Sequence, residues 1–461
     1  MARDELEQGR RFFCREETTG KGYSGMFHVG DDDMAMDLFA FDEVILEEFD
    51  DLLIARLEDN RIVSLHKNVT SGPATNHHFE KGVQSSSTHV SSNIVVFGEA
   101  PWQPDDKIRR VQFSIAHADD LLTHSDTYDA IIAADFDTMP DNSLLELAVG
   151  GLTLKIWYTV WGGPGRRASK IDVRYGIEFD EPRDLHSYLK DVQLVVRFVS
   201  AALGHRFGPS EIRISRLSHT EFLAAAEARK GYHDHGVRYI WPIEKPTSRM
   251  WVGHAFAHVR DEAHLAEFID CLRAWVTRDG EWSAATNVMM GAFKLQNIMS
   301  GERLLNACTW LEEIPGADSE MAVSDDDIAA IASVAAAEAE RLGHNDYKAR
   351  IAGVIRSQLK KESNGERFTR LHGAVAARYG DKALPVDVIP NLLKAMQYRG
   401  RIAHGHFEPL DEADYQAFVK SVYAMEALCY LLTIKDLPMS EEGAKRAAGQ
   451  QIAANYRQCV F

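Results

Sequence analysis

The chain has 461 residues, of which 45% are hydrophobic and 26% charged. That balance supports folded cores and excludes a disordered chain, and at about 150 residues per domain it allows roughly three domains or two large ones. Asp plus Glu is 69 against 51 for Lys plus Arg, a formal charge of −18; such a surface repels polyanions on average, which excludes a general nucleic-acid coat protein and leaves room for one local basic site.

Five cysteines, at 14, 271, 308, 429 and 459, form no CxxC pair. Neither a disulfide framework nor a zinc ribbon is expected, and reduced thiols fit a cytoplasmic location. Residues 1–15 are charged throughout and lack the apolar core of a signal peptide. No run of about 18 apolar residues occurs; the longest candidate, 415–434, is interrupted by Lys420 and Glu426, so no membrane span is expected.

In chain order, residues 1–20 read as an N-terminal segment and 21–258 as a β-rich domain. Short runs rich in Val, Ile, Phe, Tyr and Trp predict strands at 92–97, 108–115, 152–160 and 171–179. Within 108–115, Val111, Phe113 and Ile115 alternate with Gln112 and Ser114, the period of a half-buried strand. Such text predicts an antiparallel sandwich or open barrel. One helix interrupts it: Leu185, Leu189, Val192, Val196, Val199 and Leu203 fall at steps of three and four, and Gly204 follows as a C-cap. Strands are predicted again at 211–214 and 237–241, and Pro242 and Pro246 mark a boundary region.

Residues 259–461 read as an all-α bundle, so the fold class is α+β. Helices are predicted at 261–276, from Ser324 to Leu342 with a capping box of Ser324 and Asp327, at 349–359, at 387–398 with Pro390 in the first turn, and at 411–432. Cys271, Cys308 and Cys429 fall on their apolar stripes and read as small fillers.

Several polar clusters read as bland. His254 and His258 sit four apart, a spacing that grips zinc on a helix, but no Glu follows the first histidine as a zinc protease requires, and packing is the better reading. His77, His78, His233 and His235 read as loop residues. The run GGPGRR at 162–167 lacks phosphate-loop spacing and reads as a hairpin turn. Asp31–Asp33 reads as a solvated turn.

One segment departs from the acidic average. Residues 391–407, NLLKAMQYRGRIAHGHF, hold Lys394, Arg399, Arg401, His404 and His406 and no carboxylate. Arg399 and His404 are spaced R-x4-H. At about 100° per residue they stand about 140° apart on a regular helix, whereas Arg401 and His404, three apart, share a face. The bland reading is a helix-end pair, with Arg399 bridging to Glu408 or Asp411.

YRGRIAHG before the long last-predicted helix resembles the R-x4-6-H signature of HEPN domains, helical bundles many of which are metal-independent ribonucleases. A β-rich domain of about 250 residues upstream is similar to the ApeA-type abortive-infection proteins of bacteria. The resemblance implies anti-phage defence by RNA cleavage, with tRNA the favoured target. It implies Arg399 and His404 as catalytic residues, with Arg401, His406 and Lys394 as substrate contacts. No cofactor and no metal are expected, and the partners implied are RNA, a second copy pairing through the bundle, and a phage-derived trigger at the N-terminal domain. Gly400 departs from the pattern, since the family most often has a polar residue there. That departure keeps open a catalytically silent bundle that binds RNA, a nucleotide or a protein, or one that only dimerises.

Overall fold

The computed structural model describes residues 6, 9–30, 34–72, 74–78, 83–115, 118–134, 142–161, 170–228, 234–239, 254–320, 323–359, 361–405 and 411–459. The chain divides into two compact units. One comprises Met1–Val196, Phe207–Met250 and Val259–Leu265, the other Arg197–Arg206, Trp251–His258 and Ala266–Phe461. An antiparallel β-rich region precedes a helical one, an α+β arrangement.

The strands are β1 (Arg11–Glu16), β2 (Ser24–Val29), β3 (Met34–Phe41), β4 (Leu52–Leu57), β5 (Ile62–His66), β6 (Val69–Thr70), β7 (Ala74–His78), β8 (Val83–Ser92), β9 (Ile94–Gly98), β10 (Ile108–Ile115), β11 (Ser143–Val149), β12 (Leu152–Trp161), β13 (Lys170–Arg183), β14 (Pro209–Ser215) and β15 (Asp234–Tyr239). They form one hydrogen-bonded path, β11-β12-β13-β10-β14-β15-β9-β5-β4-β1-β2-β3-β8-β6, with β7 beside β8. So long a path must curl, because right-handed twist accumulates across it. It does so over the run from β5 to β8: the Ser92 hydroxyl at the end of β8 donates to His66 O on β5 at 2.8 Å. Phe12, Phe27, Met36, Leu38, Leu53, Val63, Leu65, Val90 and Val95 fill the hollow. β1 lies inside the charged N-terminal segment; its alternate residues Phe12, Cys14 and Glu16 are buried, and the strand pairs with β2 and β4.

On β10 the alternation holds for Val111, Phe113 and Ile115, and Arg110 is buried too. Its guanidinium bonds both Asp234 oxygens, at 2.9 and 3.1 Å, and lies 4.1 Å from the Phe222 ring centre. The histidines read as loop residues are placed otherwise where they are described. His77 and His78 belong to β7. His235 is buried on β15, with Nε2 3.0 Å from Ala100 O and its ring edge-on to Trp102. Residues 31–33, 162–169 and 233 lie outside the described residues.

The helices are α1 (Ser125–Ala133), α2 (Tyr188–Leu203), α3 (His219–Glu227), α4 (Glu262–Thr277), α5 (Asp279–Lys294), α6 (Gly301–Glu313), α7 (Asp325–Arg341), α8 (Lys348–Leu359), α9 (Asn364–Tyr379), α10 (Val388–Ala403), α11 (Glu412–Ile434), α12 (Glu441–Gly449) and α13 (Gln451–Gln458). α2 ends as its sequence predicts, on Gly204 at φ +65°. Ser324 caps α7 by accepting the Asp327 N–H, although the Asp327 carboxylate takes the Ser324 hydroxyl instead of its backbone amide. The full reciprocal box stands at Ser363 and Glu366, opening α9.

α11 is the centre of the helical unit. From Phe418 to Ile434 it is buried on nearly every side, so it is apolar all round. By length and composition it could cross a membrane, yet 83% of its most apolar window is buried inside the protein. Its one interior carboxylate, Glu426, has no solvent exposure and receives Arg303 Nε and Nη2 from α6, both at 2.7 Å. Burial pushes the Glu426 carboxyl up, and the Arg303 bonds and charge pull it back. The third Arg303 nitrogen, Nη1, donates to Gln296 O at 2.6 Å. Cys271, Cys308 and Cys429 are buried as fillers, and burial pushes the first two thiols up to about 12.

Candidate active site at the end of a bundle helix

α10 begins beyond Asp387 with Pro390 in its first turn, where the missing N–H costs no intrahelical bond. Val388, Leu392, Ala395 and Tyr398, spaced by four, three and three, form its buried stripe. The Tyr398 ring stands edge-on to Phe418 at 5.4 Å, and its hydroxyl donates to Asp414 O at 3.3 Å; burial raises the pKa of that hydroxyl. Ile402 continues the stripe, its Cδ1 about 3.4 Å from where a Cβ on Gly301 of α6 would sit.

The helix runs on past Tyr398, where the sequence predicts its end, to Ala403. Gly400 therefore lies inside a continuous helix. A Cβ there would meet no heavy atom within 4 Å. The His404 N–H bonds Gly400 O at 3.1 Å and the Gly405 N–H bonds Ile402 O at 3.0 Å. Gly405 follows at φ +71°, a left-handed conformation that glycine takes without penalty.

Two faces of this end matter. On one, Arg399 reaches back to α6, Nη2 to Glu312 Oε1 at 2.7 Å, with both side chains a little over one-third exposed. Asp411 instead caps α11 by accepting the Asp414 N–H, and Glu408 lies outside the described residues. Arg399 also approaches Cys308, where its charge opposes the upward push of burial on the thiol. On the other face Lys394, Gln397, Arg401 and His404 are exposed at steps of three, four and three, which lines them along one side of the helix. The Arg401 guanidinium lies 6.0 Å from the Tyr398 ring centre.

The chain thus brings Lys394, Arg401 and His404 together and turns Arg399 away from them, about 140° round the helix from His404. His406 lies outside the described residues. Gln397 was not singled out in the sequence, although its spacing from Lys394 and Arg401 marks it. Glu312 had no local signal, because its partner is 87 positions away (399 − 312).

Chemically, the exposed stripe offers two fixed cations, an amide and an imidazole, with no carboxylate among them. That set suits a phosphodiester backbone: Arg and Lys bind the phosphates, and His exchanges protons. For the other histidine pair, residues 254–258 form no α-helix, so His254 and His258 are not stacked one turn apart. Among the described residues, no group of three His, Cys, Asp or Glu is placed to hold a metal ion.

Comparison with curated proteins and with solved structures yields no match. Residues 36–225, from β3 to α3, match the family described as ApeA N-terminal domain 1. That match supports an ApeA-type chain and, at that level, a part in abortive-infection defence against phage.

Proposed function

We propose that the chain is a metal-independent endoribonuclease, cutting tRNA or another cellular RNA in the bacterial cytoplasm as an abortive-infection response. What supports the reading is the R-x4-H end of α10, with His404 exposed, standing downstream of an ApeA-type domain. In this reading the helical unit is of the HEPN type and the β-rich region answers a phage-derived trigger.

The chemistry starts from the RNA. His404 takes the proton of the 2′-hydroxyl, the 2′-oxygen bonds to phosphorus, and the bond from phosphorus to the 5′-oxygen breaks. A protonated imidazole returns a proton to that leaving oxygen. The products are a 2′,3′-cyclic phosphate and a 5′-hydroxyl. A guanidinium stays charged and matches two phosphate oxygens at once, so Arg399 would hold the extra charge of the phosphorane. Arg401 and Lys394, with His406 beyond the described residues, would grip flanking phosphates. Because Arg399 and His404 face apart on one helix, a twofold pair of chains would supply the histidine of one and the arginine of the other to one cleft.

A second reading has one observation in its favour: Arg399 is already held by Glu312. In that reading the helix end is a structural pair on a catalytically silent bundle that binds RNA, a nucleotide or a protein. Purified chain incubated with total RNA separates the two. Cleavage to cyclic phosphate ends that is lost in Arg399→Ala and His404→Ala, with dimerisation kept, supports the nuclease. RNA retention without cleavage supports the silent module. Glu312→Gln frees Arg399. On the nuclease reading it raises activity by up to about fivefold, the worth of an exposed ion pair; on the silent reading there is no activity for it to raise.

A further inference from the structure

α7 and α8 form a hairpin closed by a short 3-10 turn, Asn345–Tyr347. The buried positions of α7 are Ile328 and three alanines, Ala332, Ala336 and Ala339. Large apolar residues point elsewhere. Ile331, Val334 and Leu342 are 44%, 70% and 57% exposed, and they lie within about 80° of one another round the helix. Val354 on α8 and Tyr347 in the turn are 51% and 54% exposed. With Ile351 and Ile355 they line an open recess of about 470 Å³. An apolar stripe on both helices of one hairpin is the pattern of a surface that is covered in use.

Charge identifies the cover. α7 carries Asp325, Asp326, Asp327, Glu338 and Glu340 against Arg341 alone. α8 carries Lys348, Arg350 and Arg356 and no carboxylate. Near the turn, Arg341 pairs with Glu338 and Lys348 with Glu340, each at 2.6 Å. Toward the open end the hairpin keeps an acidic helix beside a basic one. A twofold axis parallel to the helices lays each α7 on the other copy's α8, so acid meets base and the apolar stripes close into a four-helix bundle.

We propose that the α7–α8 hairpin is a self-association surface whose partner is the same hairpin of a second copy of this chain. The helices are about 25 and 18 Å long. Their joint face covers about 450 Å² per copy, or about 900 Å² in total, the size of a reversible contact and not an obligate one. The inference uses no residue of α10 and stands whether or not the chain cuts RNA.

Sedimentation equilibrium of the full chain from about 1 to 100 μM tests it, with circular dichroism confirming the fold of each variant. The wild type is expected to associate reversibly through the hairpin, to a dimer or, where α10 also pairs two chains, to a tetramer, and the losses expected of the variants are of that hairpin step. Ile331→Glu with Val334→Glu should weaken the dimer by at least about 30-fold, as loss of a central anchor does. Charge reversal is the sharper arm. Arg350→Glu with Arg356→Glu makes both helices acidic, and Asp325→Lys with Asp326→Lys makes the α7 end basic; each alone should dissociate, and the two mixed should form a heterodimer. A wild type that stays monomeric throughout would overturn the proposal, as would a dimer indifferent to the hairpin substitutions or a mixture that fails to pair. Loss of RNA cleavage in His404→Ala with the dimer intact would leave it standing.

Discussion

Replacing Arg303 by Met would leave the Glu426 carboxylate without its two charge-assisted bonds in a site with no solvent exposure. Burial already drives this carboxyl upward, and the Arg303 bonds and charge are what oppose it. Without them the carboxyl must either stay ionised in a dry interior or fold protonated. Protonation sets the ceiling on the cost. Relative to an ordinary glutamate near ~4.3, it costs about 1.36 kcal/mol per pH unit, hence about 3.7 kcal/mol at pH 7 and about 1 kcal/mol at pH 5. The sign follows: a carboxyl raised in the fold penalises the folded state above its unfolded pKa, so the deficit of the variant grows as pH rises. For a unit of this size the pH 7 loss lowers Tm by about 7–14 °C. Thermal unfolding of wild type and Arg303→Met at pH 5 and pH 7 is the assay. Adding Glu426→Leu should recover most of the loss, because a buried pair exchanged for apolar residues of similar volume is near neutral. A deficit under about 1 kcal/mol at pH 7, or one equal at both pH values, would refute the reasoning.

Two further predictions concern single residues. Gly400→Ala should stabilise the chain by about 0.5–1 kcal/mol, since the position is helical and open to a methyl group; a fall in Tm would mean the helix is not continuous there. Burial on β5 pushes the His66 imidazole down to about 4, so the unfolded chain takes up a proton between pH 6.5 and 4 that the folded chain refuses. Stability should fall as pH drops through that window, by up to about 3.4 kcal/mol, and chemical denaturation of His66→Asn across it should show a shallower slope; an unchanged slope would contradict the assignment.

The architecture was legible where pattern and burial coincide. β10 alternates because one face is covered, and its bounds were read to the residue; α2 and α4 carry single apolar stripes and were placed to within a few positions. β1 was hidden because its exposed positions carry Arg11, Phe13 and Arg15, which read as a charged tail. α5 and α6 were not marked off, since their apolar stripes are broken by buried polar residues: Thr286, which bonds Ser283 O one turn back, and Arg303, whose partner Glu426 lies far off in sequence. The α10 end was found from its charge, as a basic segment in an acidic chain. Its length was misjudged because glycine at 400 reads as a stop, and tertiary contacts of Ile402 with α6 carry the helix through. The Glu312 partner of Arg399 and the Glu426 partner of Arg303 lie far away in sequence, and no local rule reaches them.

The measurement that bears most directly on function is cleavage of total RNA by the purified full-length chain, wild type against His404→Ala and Arg399→Ala, with product ends mapped. The nuclease account predicts fragments with 2′,3′-cyclic phosphate and 5′-hydroxyl ends, abolished by either substitution and partly restored when the two inactive variants are mixed, since one His404–Arg399 pair of each heterodimer is then intact while the other lacks both groups. Cleavage that survives both substitutions, or RNA left whole by the wild type with its phage trigger present, would contradict it.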